Sequence, residues 1–172
     1  MALRNIVTVG DPVLSKVCRP VTKFDDRLAQ LLDDMIETLH DANGAGLAAP
    51  QIGVLRRVVI VNTEGEDWEL VNPEIVEVSE EEQTGIEGCL SLPGKWGLVT
   101  RPEYAKVRAQ DRHGDWYEYE GEDLTARCFL HEIDHLDGHM YTEFAEKMLT
   151  QEELDELLKQ EQEAEEGEET EA

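Results

Sequence analysis

The spacing of apolar residues predicts one amphipathic helix near the N-terminus, followed by a buried strand. From Asp26, or the residue before it, to about His40, leucine, methionine and isoleucine recur at helical intervals and form one stripe that can be buried. The pair Asn43-Gly44 is a typical helix stop. Residues 57–62 contain four consecutive β-branched residues, which is typical of a strand buried on both faces.

Further strands are predicted in the middle of the chain. Residues 69–78 form one strand, or two pieces interrupted at Asn72-Pro73, because proline cannot donate to a strand ladder. Residues 80–82 are three glutamates and are expected in a solvated loop. Residues 104–119 alternate in polarity around a turn and predict a hairpin. Helices and strands that do not alternate regularly indicate an α+β fold with mainly antiparallel strands.

The C-terminal residues divide into a short helix and a tail. A helix is expected over 149–160, capped by Thr150. Residues 161–172 are rich in glutamate and contain no apolar side chain larger than alanine, so they are expected to be disordered. The division therefore predicts a catalytic domain over 1–148, a helix and an acidic tail.

Composition and charge exclude several classes of protein. The formal net charge is −25, and a large share of it lies in the last thirty residues. Such a surface repels phosphates, so direct nucleic-acid binding is not expected. The three cysteines are scattered and odd in number, which is typical of reduced thiols, and no apolar run is long enough for a membrane span. We expect a monomeric, cytoplasmic protein.

The strongest candidate for chemistry is the segment 131–135, which reads His-Glu-Ile-Asp-His. Residues four apart lie on one face of a helix, so both imidazoles can reach one metal ion. Glu132 follows the first histidine and is well placed to handle the proton of a water molecule. Asp123 or Thr125 is expected to cap this helix, and Gly138 to end it.

A catalytic metal site of this kind needs a third protein ligand. A further histidine would stand at position 141, but that residue is Tyr141, and His139 lies beyond the helix-ending glycine. Cys89 lies between a glycine and a turn-rich segment, where a thiol is accessible. A glutamate of the last helix also has suitable spacing: Glu152, Glu153 or Glu156. The spacing alone leaves the cysteine and the glutamates open.

Three segments together resemble one known family. Residues 44–51 read Gly-Ala-Gly-Leu-Ala-Ala-Pro-Gln, and residues 87–91 read Glu-Gly-Cys-Leu-Ser. With 131–135 they stand in the order and at the separations found in peptide deformylases. Over roughly residues 2–148 the chain therefore resembles a bacterial-type peptide deformylase, and three motifs in register are far more specific than one.

The resemblance implies a fold, an activity and a metal centre. The fold would be α+β, with antiparallel sheets packed around a central metal-binding helix. The activity would be metal-dependent removal of the formyl group from the N-terminal formyl-methionine of nascent polypeptides, with release of formate. Cys89, His131 and His135 would hold one ion per chain, Fe²⁺ or Zn²⁺, and other divalent metals could substitute. Glu132 would act first as general base and then as acid.

The resemblance also implies substrate contacts. Gln51 and the backbone N–H of Leu90 would stabilise the oxyanion, and the backbone at Gly46 would pair with the substrate peptide. From their positions, Ala45 and Phe129 are expected to line an apolar pocket for the methionine side chain.

Two departures from the family pattern and two competing interpretations remain. Many members have glutamine immediately before the first metal histidine, where this chain has Leu130, and a polar or basic residue where it has Trp96. One competing interpretation is a peptidase with a glutamate as third ligand. The other is a closed structural zinc site or a redox-sensing thiol, for which His139 or Cys128 would have to supply a fourth ligand.

Overall fold

The computed structural model describes residues 2–171, and side chains through residue 168. The described part of the chain has an α+β fold, as expected from the sequence. The helices are α1 (Asp26–Ala42), α2 (Asp123–Leu136) and α3 (Gln151–Glu171). The strands are β1 (Gly46–Ala48), β2 (Val58–Val61), β3 (Trp68–Val78), β4 (Glu82–Cys89), β5 (Leu92–Pro102), β6 (Tyr104–Gln110), β7 (Trp116–Glu122) and β8 (Ala145–Met148). Short 3-10 helices lie at Pro12–Ser15, Ala49–Ile52 and Tyr141–Glu143.

The strands form two antiparallel sheets, and α2 packs against both. The larger sheet has the order β1-β2-β3-β6-β7, and the smaller has the order β4-β5-β8. Helix α2 contacts β1, β2, β6 and β7 of the first sheet and β5 of the second. The prediction of antiparallel sheets around a central helix is confirmed.

Strand β2 lies between two helices, which explains its uninterrupted β-branched sequence. Val59 and Val61 belong to the core formed with α2, whereas Val58 and Ile60 belong to the core formed with α1. All four side chains are fully buried. A strand that is covered on both faces has no solvent side on which a polar residue would be favourable.

Helix α1 confirms its predicted boundaries. Asp25 caps its first turn by accepting a hydrogen bond from the backbone N–H of Leu28 at 3.1 Å. Asn43 ends it in the left-handed conformation, with φ of 55°. Four residues of its apolar stripe are fully buried: Leu28, Leu32, Met35 and Leu39.

Strand β3 confirms the first of the two alternatives for residues 69–78, a single strand, and a register shift with a φ of 50° at Asn72 accommodates the proline. Two elements differ from the sequence prediction. The hairpin of β4 and β5 was not predicted, because its glycines and charged residues mask any alternation. Helix α2 begins after Glu122 without a side-chain cap, so the expected caps were wrong. The hydroxyl of Thr125 instead bonds that of Thr63 at 2.6 Å.

The C-terminal helix is longer than predicted. Thr150 and Glu153 form the expected cap by reciprocal hydrogen bonds, each of 3.2 Å. Helix α3 then continues to Glu171, which corrects the expectation of disorder over residues 161–171; Ala172 lies outside the described residues. The sequence argument considered only the lack of a core, whereas glutamate, glutamine and alanine have high intrinsic helix propensity. Within residues 2–171, no helix is both long and apolar enough to cross a membrane.

Asp34 ties the N-terminal segment to α1 and makes stability depend on pH. It is buried, and it accepts hydrogen bonds from the backbone N–H of Ala2 at 2.8 Å, from Arg4 at 2.8 Å and from Gln30 at 2.7 Å. Burial alone would raise the pKa of Asp34, but these bonds outweigh it and hold the pKa below the ordinary value of 3.8. The contribution of this carboxylate to stability is therefore complete above pH 3.8 and is lost as the pH falls through the lower folded value.

We expect Asp34→Asn to have a lower free energy of unfolding than the parent at pH 7. The difference in unfolding free energy between the two proteins should become smaller as the pH falls below about 4. Urea unfolding midpoints at pH 7 and at pH 3 measure this. Asp41→Asn, at an exposed position at the end of the same helix, is the matched control and should show no such narrowing. A difference in stability between the parent and Asp34→Asn that stays constant with pH would contradict the pH dependence ascribed to Asp34.

Candidate active site and metal centre

Three side chains that can bind a metal meet where β4 approaches α2. Cys89 ends β4, and His131 and His135 lie one turn apart on α2. Their ligand atoms all lie within 4.8 Å of one another, and Cys89 Sγ is 3.4 Å from His135 Nε2. Both histidines are buried and the cysteine is partly exposed, so the group is accessible from one side.

The donor set suits a metal ion, and a four-coordinate ion held by it would keep one position for another ligand. One thiolate and two imidazoles suit Zn²⁺ or Fe²⁺. Ligands at normal zinc distances in a tetrahedron are about 3.5 Å apart, which matches the separation of sulphur and nitrogen here. Burial, with the positive charge of Arg101, lowers the pKa of His135 to about 3, so this imidazole stays neutral and can ligate.

Glu87 orients the first histidine and was not assigned a role from the sequence. His131 Nδ1 donates to Glu87 Oε1 at 2.7 Å, which leaves Nε2 to face the centre. Arg101 donates twice to the same carboxylate, at 2.6 and 2.9 Å, and Arg127 donates at 2.5 Å. Burial alone would raise the pKa of Glu87, but the bonds from His131 and Arg101 lower it to about 2, so the carboxylate is charged.

This buried network is electrically balanced. Arg101 also donates to Asp134 at 3.0 Å, so two guanidinium groups meet two carboxylates. Arg127 also donates to the carbonyl of Val99 at 2.9 Å. The only sequence signal was the position of Glu87 in the Glu-Gly-Cys motif, because its arginine partners are distant in the chain.

Glu132 lies beside the metal-binding group and is poised to exchange a proton. Its side chain is buried, with Oε1 3.8 Å from His131 Nε2. Its Oε2 makes no hydrogen bond to the described part of the chain. Desolvation by burial raises the pKa of Glu132 to about 7. A carboxyl group with such a pKa can both accept and return a proton near neutrality.

Gln51 is held against the centre from the opposite side. It lies in the 3-10 helix Ala49–Ile52, and its oxygen accepts a hydrogen bond from the backbone N–H of Ala48 at 2.9 Å. This bond fixes which way the amide points. Its nitrogen therefore faces Cys89 Sγ at 3.4 Å and Ser91 Oγ at 3.2 Å, as a donor would have to.

A cavity of about 550 Å³ opens onto the centre. Leu90, Ala45 and Gly46 line it, as expected for residues near the substrate. Gly46 is closely packed, because a Cβ atom there would lie 2.7 Å from Cys128 Sγ. The expectation for Phe129 was wrong: this ring is fully buried in the core and stacks on Trp68 at 5.9 Å. It faces the larger sheet, because it lies half a turn from the histidines on α2.

The competing ligands are not part of this group. His139 is on the surface and bonds Glu143 at 3.1 Å. Glu152 and Glu156 are exposed on α3, and Glu153 there pairs with Lys147. Cys128 lines the cavity, but its thiol faces the carbonyl of Ala45 at 3.6 Å. Among the described residues, the one group of three or more residues able to hold a metal is the cysteine and the two histidines. Neither the peptidase nor the four-ligand structural site has its ligand in place.

This fold and this site define a metal-dependent hydrolase of the His-Glu-x-x-His type, with a cysteine as the third ligand candidate. The family model described as polypeptide deformylase matches residues 3–151. The peptide deformylase of Agathobacter rectalis is 55% identical over 149 residues, which cover 87% of this chain and 94% of the relative. That of Caldicellulosiruptor bescii is 50% identical over 155 residues, with 90% and 93% covered.

Solved structures agree with the sequence relatives. The crystal structure of peptide deformylase from Thermotoga maritima superposes with a TM-score of 0.83 at 38% identity, covering 86% of this chain and 100% of that chain. A peptide deformylase from Legionella pneumophila gives 0.81 at 39% identity, with 93% and 98% covered. The chain belongs to the polypeptide deformylase family. It is an enzyme that removes the N-terminal formyl group from nascent polypeptides, and the family is metal-dependent.

Proposed function

We propose that Cys89, His131 and His135 hold one Fe²⁺ ion per chain, and that Zn²⁺ or another divalent ion can replace it. The observation that supports this most directly is the approach of the three ligand atoms to within 4.8 Å of one another. A divalent ion at such a site supplies Lewis acidity and lowers the pKa of water. A thiolate with two imidazoles is compatible with either metal, so metal analysis of anaerobically purified protein decides between them.

Glu132 transfers the proton of the reaction, and Gln51 stabilises the negative charge that develops on the formyl oxygen. Glu132 takes the proton of the attacking water and returns it to the leaving nitrogen of methionine. As the formyl carbon becomes tetrahedral, negative charge grows on its oxygen, and Gln51 Nε2 with the backbone N–H of Leu90 donates to it. The fixed amide orientation of Gln51 supports this assignment, because its donor is aimed before substrate arrives.

The cavity accommodates the first residue of the substrate. Its lining is mainly apolar and includes Ala45, Ile86 and Leu124 beside the centre, which suits a methionine side chain. In the part of the chain that the structure describes, strand β1 pairs with β2 along one edge only, so the backbone at Gly46 offers its other edge to an extended peptide. A formyl carbon bears only hydrogen, so a closely packed site excludes larger acyl groups by their size.

The enzyme acts as a monomer in the cytoplasm, where nascent formylated polypeptides are made. A net charge of −25 makes copies of the chain repel one another and makes contact with nucleic acid unfavourable. The catalytic domain is assigned to residues 1–148, with residues from 149 onward as an appended helix.

The test is formate release from a formyl-Met-Ala-Ser peptide by protein purified and loaded with Fe²⁺ under anaerobic conditions. Formate is expected from this peptide, and no cleavage is expected of unformylated Met-Ala-Ser. Cleavage of the unformylated peptide without formate would indicate a peptidase. Air should inactivate the Fe²⁺ form while Ni²⁺ substitution protects it, and equal loss in both forms would contradict the iron assignment.

Replacement of Gln51 by alanine is expected to lower kcat about a hundredfold, which is the usual effect of removing one oxyanion donor. KM should change little, because the charge develops only in the transition state. Steady-state kinetics on formyl-Met-Ala-Ser, with metal content measured for each preparation, separate this effect from loss of the ion. The matched control is Gln160→Ala on the exposed side of α3, which should retain full activity. A rise in KM alone would assign Gln51 to substrate binding.

A further inference from the structure

An exposed indole lies directly beside the proposed centre. Trp96, on β5, is 40% exposed and lines the same cavity as Cys89 and Glu132. Its ring rests on Gly88, the residue before Cys89, so closely that a Cβ atom there would lie 2.3 Å from Cζ3 of the ring. The backbone O of Trp96 accepts a hydrogen bond from the N–H of Leu149 at 2.9 Å, which helps to hold this part of β5 in place.

The ring and the buried network lie on opposite faces of β4. Successive side chains of a strand point to opposite faces. Glu87 points inward to His131, so position 88 points outward, and this is the side on which the ring lies. At this point of β4 the inner face thus carries the catalytic groups, and the outer face carries the indole.

The same alternation applies to an extended substrate. If the methionine side chain enters the cavity, the next side chain points the opposite way, out of the cavity, about 3.4 Å further along the peptide. Two of the charged residues that line the cavity, Glu87 and Arg127, bond each other, and Lys95 lies in the same lining next to Trp96. Leu124 also lines the cavity and is 56% exposed.

On the basis of the proposed function, we propose that Trp96 is a specificity-determining residue. It contacts the side chain of the residue that follows methionine and makes the enzyme favour an apolar or aromatic residue there. A stacked or edge contact between aromatic rings is the interaction that such an exposed indole offers. Removal of the indole should weaken binding of these substrates and leave the chemical step unchanged, because no reacting atom touches it.

The experiment compares kcat/KM for formyl-Met-Phe-Ser, formyl-Met-Leu-Ser and formyl-Met-Asp-Ser with that for formyl-Met-Ala-Ser. The anaerobically loaded parent is expected to favour phenylalanine over alanine about fivefold, the size of one aromatic contact. Trp96→Ala should bring this ratio close to one, through KM, and Trp96→Leu should retain part of the preference for leucine. Variation of the third residue should give no difference between parent and variant.

Trp116→Ala is the matched control, because Trp116 is also about half exposed but lies on β7 away from the cavity. Trp116→Ala should keep the parental preference for phenylalanine over alanine in kcat/KM. A ratio unchanged in Trp96→Ala overturns the proposal, as does an equal loss on all four peptides, which would mean that the ring only supports the fold. If Trp96→Ala does not fold, equal rates of the parent on the four peptides overturn it. Absence of formate from every peptide would instead contradict the proposed function.

Discussion

Replacement of Glu132 by glutamine is expected to lower kcat for formate release by about 10²–10⁴-fold, the range typical of a positioned general acid–base. Glutamine keeps the size of the side chain but can neither accept the proton of water nor return it to the leaving nitrogen. Because burial raises the pKa of this carboxyl group to about 7, the parent enzyme can do both near neutral pH. The three proposed ligands are unaltered, so the variant should still bind one ion.

Activity and metal content must be measured on the same preparations. Glu152→Gln is the control, because Glu152 is an exposed glutamate on α3 and one of the candidate third ligands in the competing peptidase interpretation. It should retain both properties. A Glu132→Gln protein that contains one ion and still releases formate at the parental rate would remove Glu132 from the mechanism.

Replacement of Glu87 by glutamine is expected to have the largest effect on stability. The buried carboxylate accepts four hydrogen bonds from Arg101, Arg127 and His131, and its loss leaves two buried guanidinium groups with insufficient negative charge. Breaking a buried ion pair in this way costs about 3–5 kcal/mol of unfolding free energy. His131 also loses the acceptor that orients its ring, so affinity for the metal should fall about 10–100-fold.

Urea unfolding and competitive metal titration with a chelator measure the two effects separately. The matched control is Glu69→Gln, because Glu69 is a more exposed carboxylate whose partner, Arg112, also pairs with Asp33. Its replacement should cost about 1 kcal/mol or less. Equal losses for the two variants would contradict the special role of Glu87.

The helices and the proposed metal ligands were predictable because their signals are local. The apolar stripe of α1 is visible from the spacing of residues within one segment. The two histidines of α2 lie one turn apart in any helix, whatever surrounds them. Cys89 was different: spacing left it equal to the glutamates of α3, and only the family resemblance favoured it. The position of Gln51 opposite the centre likewise followed from the resemblance, and its fixed amide orientation became visible only in the structure.

The missing parts depend on contacts between distant residues. The network around Glu87 joins β4, β5 and α2, and no local pattern connects Arg101 to Arg127. Phe129 was placed in the pocket because it is near the histidines in sequence, but a helix turns adjacent residues to different faces. The hairpin of β4 and β5 lacks alternation because its inward positions hold glutamate and glycine for the site rather than apolar residues.

The proposed ligands come from a strand of the small sheet and from helix α2, and this has a thermodynamic consequence. Cys89 belongs to the small sheet, whereas His135, 46 residues later, lies on the helix packed against the large one. With the ion bound, the centre acts as a cross-link, and each tenfold excess of free metal over its Kd adds about 1.4 kcal/mol to the free energy needed to separate the small sheet from the helix. Chelation should therefore first accelerate amide hydrogen exchange in β4, β5 and β8, well before the rest of the molecule opens. Binding of the metal ion and the folding of the small sheet, which lines the substrate cavity, are thus linked equilibria.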